Sequence, residues 1–110
     1  MNLTVNVNEE SEKSILNVSG EIDIYTAPKL KETLLPLTKV EGKTVEVNLE
    51  NVNYMDSTGL GTFISALKST KENNSKLTLV NLQDRVMRIF EITGLDDVID
   101  IKAAIRGGNE

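Results

Sequence analysis

The sequence predicts an α/β domain in which one sheet is partly covered by helices. Three observations carry this. Apolar and polar residues alternate in two runs near the N-terminus and again from Val45. The period changes from two to helical just after Gly59. Strand-like and helix-like stretches then take turns along a chain of 110 residues, long enough for one core and not for two.

Leu3, Val5 and Val7 alternate with polar residues and predict a half-buried strand. A polar run from Asn8 to Ser14 predicts a turn, and Leu16, Val18, Gly20, Ile22 and Ile24 a second strand, so the two form a hairpin. Thr26 suits a helix N-cap, with Pro28 in the opening turn and Ala27, Leu30, Leu34 and Leu37 on one face. Pro36 conflicts with a continuous helix, so a kink or an end is expected near Leu35. Gly42 breaks the chain before a third strand carrying Val45, Val47 and Leu49.

Leu60, Phe63, Ile64 and Leu67 have helical spacing, with Thr62, Ser65, Lys68 and Glu72 assigned to the outer face. Glu72 to Ser75 ends that helix. A strand with Leu77 and Leu79 follows, then a helix with Val86, Ile89 and Phe90 stopped by Gly94. Val98 to Ile101 is a short final strand, and Arg106 to Glu110 are expected to fray. The whole chain is read as one domain with its core from Leu3 to Ile101.

Composition narrows function. Apolar residues make up 39% and charged residues 26%, which suits a soluble globular protein rather than a disordered one. A net charge of −5 with scattered Lys and Arg argues against direct DNA binding, which needs clustered cations on phosphates. No run approaches the roughly 20 apolar residues that span a bilayer, and no charged-then-apolar leader precedes Leu3, so no membrane association and a cytoplasmic location are expected. Cysteine and histidine are both absent. Without them there is no Ser-His relay, no thiol nucleophile and no ordinary zinc site, so the expectation is a protein that is not an enzyme and needs no cofactor or metal.

The octet Tyr54-Met55-Asp56-Ser57-Thr58-Gly59-Leu60-Gly61 is the most informative stretch. It places hydroxyls, a carboxylate and two glycines where a strand becomes a helix, and free N–H groups there favour a phosphate. It superficially resembles the Asp-Thr/Ser-Gly loop of aspartic proteases, but is off by one residue, occurs once and lacks a paired carboxylate. Gly59-Leu60-Gly61 fails as a nucleotide loop, because Ile64 stands where a third glycine would fall and no Gly-Lys-Ser/Thr exists.

Ser57 suits an N-cap, and composition and spacing leave a plain cap and a functional serine equally open. Each glycine costs roughly 1 kcal/mol in a helix relative to Ala. Close packing on the sheet explains one of them, while two on different sides suggest a bare surface for another protein. In Gly20 to Pro28, Ile22 and Ile24 are expected to point inward, leaving Glu21, Asp23 and Tyr25 outward as a solvated edge or part of a docking patch.

Gly20 to Pro28, Tyr54 to Gly61 and Phe90-Glu91-Ile92-Thr93-Gly94-Leu95 together resemble the STAS-domain anti-sigma factor antagonists of bacteria, over essentially Leu3 to Ile101. Within that family the resemblance is nearest to the branch serving the Gram-positive general stress response, with the sporulation branch beside it. The resemblance implies a single mixed sheet of about four to five strands with helices mainly on one face. It implies two partners, an anti-sigma factor that is also a serine kinase and a metal-dependent serine phosphatase. ATP and magnesium belong to the kinase. The family's phosphorylated serine matches Ser57, and its kinase-facing acidic position matches Asp23. With the strand end and the glycine-bare helix start read from the residues, the expected partner surface adds Glu21, Tyr25, Asp56, Thr58, Gly59 and Gly61. Only the resemblance ranks Ser57 above Thr58 as acceptor. The alternative role is a STAS accessory or scaffold subunit, of a transporter or a stressosome-type assembly.

Overall fold

The computed structural model describes residues 2–103. The tail expected to fray, Arg106 to Glu110, lies outside them. Strands β1 (Leu3–Glu9) and β2 (Lys13–Ile22) form the expected antiparallel hairpin, with Val5 opposite Val18 and Val7 opposite Leu16. Pairing extends further into the polar run than alternation suggests, as far as Glu9 opposite Ser14. Backbone ladders need no apolar side chains, and the buried Ser14 hydroxyl is satisfied by donating to Glu9 Oε1 at 2.6 Å. Gly20 must be glycine: its φ is +116°, and a Cβ there would lie 2.1 Å from the Asn2 carbonyl oxygen.

Helix α1 (Ala27–Leu37) buries Ala27, Leu30 and Leu34. It runs two residues past the end expected at Leu35, because Pro36 falls in the last turn, where its missing N–H removes little. The amides of Thr38 and Lys39 close the end on the carbonyls of Leu35 (3.0 Å) and Pro36 (3.2 Å).

Strand β3 (Thr44–Met55) is longer than the Val45–Leu49 alternation predicts. Its inward residues are Val45, Val47 and Leu49 and then Val52 and Met55, so the period changes from two to three. The cause lies in its pairing with β2. Asn17 and Ser19 face Asn48 and Asn51, and Gly20 and Glu21 face Val52 and Tyr54, so β3 carries an extra residue twice. Each bulge re-aims the side chains that follow.

Helix α2 (Ser57–Asn73) ends on Asn74 in the left-handed conformation at φ 55°, close to where the polar run 72–75 predicts. After it come β4 (Lys76–Leu82), α3 (Asp84–Thr93), a single 3₁₀ turn (Leu95–Asp97) and β5 (Asp100–Ala103). Gly94 stops α3 at φ 78°, as expected, whereas the final strand starts two residues later than predicted.

Among the described residues the five strands lie in sequence order, and only the β1–β2 pair is antiparallel. Right-handed crossovers that all step in one direction place the three helices on one face of the sheet. The core fills that interface. Phe63 of α2 meets Phe90 of α3 edge-to-face, with ring centroids 5.9 Å apart. The opposite face is polar, and the side-chain amides of Asn17, Asn48 and Asn81 link three strands across it at 3.1 and 3.2 Å.

Thr62 corrects the outer-face assignment, since it is buried. A 3.6-residue period sees one buried face, whereas α2 has two: the sheet on one side and α1 on another. The second contact is polar at the C-terminal end of α1, with Thr38 donating to Ser69 Oγ at 2.6 Å.

Candidate functional site

Parallel pairing sets the C-terminal ends of β2 and β3 side by side, with Ile22 opposite Met55. The Asp56 amide donates to the Ile22 carbonyl at 3.2 Å. The turn from β2 into α1 therefore lies beside the start of α2, at the carboxyl edge of the sheet where α/β proteins place their sites.

At the β3–α2 junction the cap is Asp56, not Ser57. Its Oδ1 accepts from the amides of Thr58 (2.9 Å) and Gly59 (3.3 Å), and its backbone is extended. Ser57 is the first helical residue, exposed, and its hydroxyl makes no hydrogen bond among the described residues. Thr58 is exposed as well. Both hydroxyls are within reach of a partner, so geometry does not rank them.

The two glycines separate cleanly. Gly59 is buried, and a Cβ on it would lie 2.6 Å from both Ile22 Cγ2 and Met55 Cγ, two side chains themselves locked in the core. It brings α2 down onto the sheet, which corrects its assignment to the partner surface. Gly61 faces elsewhere. A Cβ there would meet nothing within 4 Å, so no packing among the described residues compensates the cost of roughly 1 kcal/mol that glycine carries in a helix.

At the β2–α1 junction the structure reverses two expectations. Asp23 is 9% exposed rather than outward-facing. Its Oδ1 accepts from the amides of Tyr25 (2.9 Å) and Thr26 (3.1 Å), and its carbonyl accepts from the Ala27 amide at 2.8 Å. The Thr26 hydroxyl does not cap α1. It accepts from the Asp23 amide at 2.9 Å and donates to the Glu21 carbonyl at 2.7 Å. Ile24, expected inward, is 62% exposed. The strand ends at Ile22, so alternation no longer applies two residues later. The bond from the Tyr25 amide to the Asp23 carboxylate makes an Asx turn, which an aspartate at a strand end favours.

Glu21 is half-buried and Tyr25 is 76% exposed, while Tyr54, opposite Glu21 on β3, is 47% exposed. The site thus presents two exposed hydroxyls, two tyrosines and an isoleucine, with Asp56 beside them. Ile24 is the exposed apolar residue that sequence periodicity missed.

Among the described residues no three His, Cys, Asp or Glu side chains gather as a metal site, and no helix is long and apolar enough to cross a membrane. The STAS domain family matches residues 4–107. This chain belongs to that family. It is 45% identical over 108 residues to the anti-sigma-B factor antagonist of Bacillus subtilis, covering 98% of each chain. It is 48% identical over 103 residues to that of Listeria monocytogenes, covering 93% of this chain and 90% of the relative. In fold, an anti-sigma factor antagonist from Mycobacterium paratuberculosis superposes with a TM-score of 0.82 at 24% identity, over 92% of this chain and 86% of that one.

Proposed function

We propose that this STAS protein is an anti-sigma factor antagonist of the general-stress type that acts by binding, in the cytoplasm, rather than by catalysis. Unphosphorylated, it docks on an anti-sigma factor that is also a serine kinase and so frees the sigma factor. Phosphorylation on Ser57 ends that binding, and a metal-dependent serine phosphatase restores it. ATP and magnesium are the kinase's, and this chain needs no cofactor of its own. The observation that carries the reading is the Ser57 hydroxyl, exposed and unbonded at the first position of α2 because Asp56 has taken over the cap.

That division of labour makes electrostatics the mechanism. A phosphate adds about −1.5 to −2 charge at neutral pH. The two nearest helix amides, of Thr58 and Gly59, are already bonded to Asp56, so the phosphate sits outside the cap and beside a carboxylate. The fold tolerates this, since the charge is in solvent. At an interface, like-charge juxtaposition costs several kcal/mol, and about 4 kcal/mol weakens binding about a thousandfold. Repulsion at the interface therefore outweighs any change of conformation.

Calorimetry against the cognate anti-sigma kinase tests this. Ser57→Ala should bind like the unphosphorylated protein and stay bound when ATP is added, whereas Ser57→Asp should bind poorly. Equal affinities of the two variants would remove the electrostatic account. Site-localising mass spectrometry after incubation with kinase and ATP decides between Ser57 and Thr58, and phosphate on Thr58 alone would overturn the assignment.

A further inference from the structure

Beside Ser57 an open hollow of about 380 Å³ runs between α1 and α2, lined largely by apolar surface of Ile24, Pro28, Thr58, Gly61 and Thr62. Lys31 stands on its wall and has no ion-pair or hydrogen-bond partner among the described residues. Gly61 contributes bare backbone to the floor without being forced to by anything packed on it. An apolar groove, a solitary cation and a glycine the monomer does not need are three independent features on one surface.

We propose that this groove receives an apolar side chain of the anti-sigma kinase, carried next to a carboxylate that pairs with Lys31, and that Gly61 stays bare so this segment can lie on the α2 backbone. The inference rests on the functional reading above and names what its partner must present. Position names the occupant and charge its chemistry: the groove adjoins the residue whose phosphorylation ends kinase binding in the reading above, and a carboxylate on the incoming segment satisfies Lys31. The groove is continuous with the switch, since Thr58 both lines it and follows Ser57. A phosphate on Ser57 would repel the incoming carboxylate at the groove's mouth.

The test titrates the cognate anti-sigma kinase, loaded with ADP, into wild type, Gly61→Ala, Gly61→Leu and Lys31→Glu, with thermal melts of each variant alone. Gly61→Leu should melt at or above wild type, because it gains helix propensity in open space, yet bind about a hundredfold more weakly by filling the groove. Gly61→Ala should lose about tenfold, and Lys31→Glu about tenfold with the loss shrinking at high salt. Wild-type affinity in Gly61→Leu would overturn the proposal, and if that variant melts early, unchanged binding by Gly61→Ala overturns it instead. A wild-type dimer in sedimentation that Gly61→Leu disrupts would assign the groove to a second copy and overturn the kinase as occupant. Wild type that fails to bind the kinase at all refutes the functional reading, and the occupant with it.

Discussion

Two strand-to-helix junctions lie side by side in this molecule, each organised by an aspartate, and they do opposite things with it. At the β2–α1 junction the Asp23 carboxylate is buried and ties down the amides of Tyr25 and Thr26, so the turn is closed and offers Ile24 and Tyr25 to solvent. At the β3–α2 junction the half-buried Asp56 takes the amides of Thr58 and Gly59 and leaves the hydroxyls of Ser57 and Thr58 exposed. One junction presents exposed apolar side chains on a closed turn, and the other exposed hydroxyls. The same residue type serves both because a carboxylate satisfies helix-start amides wherever it sits. Its burial decides whether it is available to a partner as well.

The sharpest test of this contrast is at Gly59. Gly59→Val should destabilise the fold by about 3 kcal/mol in urea unfolding, since its methyls must displace Ile22 and Met55. Gly61→Ala two residues later should not destabilise at all, and equal losses at both positions would erase the division between sheet-facing and outward glycines. Asp23→Ala comes next. A hydrogen bond to a charged group is worth about 1.5–3 kcal/mol, and the freed amide of exposed Tyr25 regains water, so a loss of about 2 kcal/mol is expected, together with weakened partner binding as the turn loosens. A variant with full stability and lost binding would make Asp23 a direct contact instead. Asp56→Ala should cost less, about 1 kcal/mol, the ordinary value of a helix cap.

The smallest effect is expected far from both junctions, at Glu9, whose carboxyl is held below its usual pKa by hydrogen bonds from Lys43 and Ser14. A carboxyl lowered in the folded state stabilises above its unfolded pKa and loses that contribution as pH falls through the folded one. Glu9→Gln should therefore lower the melting temperature slightly at pH 7 and make no difference in strong acid. A large effect would show that the hairpin end, rather than the junctions, dominates the acid response.

Much of the fold was legible because its signals are local. Alternation located β1, β2 and the first half of β3, a helical period located α2 and α3, and Gly94 and the Asn73-Asn74 pair marked helix ends. The second half of β3 was not legible. Its bulges are a property of pairing with β2, and a strand whose inward residues change from every second to every third position matches neither template. Thr62 was misplaced for a related reason, since contact with α1 gives α2 a second buried face made partly of hydroxyls.

At the site, the octet and the acidic strand end were both found from residue types, and the hydroxyls, Asp56, Glu21 and Tyr25 stand where a partner can reach them. The sequence by itself determined which segments matter, because Asp-Ser-Thr-Gly at the start of a helical period is chemistry written in consecutive residues. Only the tertiary structure decided what each residue does there. It buried Asp23 in a turn, turned Ile24 outward, gave the cap to Asp56 and assigned Gly59 to the core and Gly61 to the surface. The physical reason is that burial and orientation depend on neighbours distant in sequence: Ile22 and Met55 meet across two strands, and they alone tell one glycine from the other.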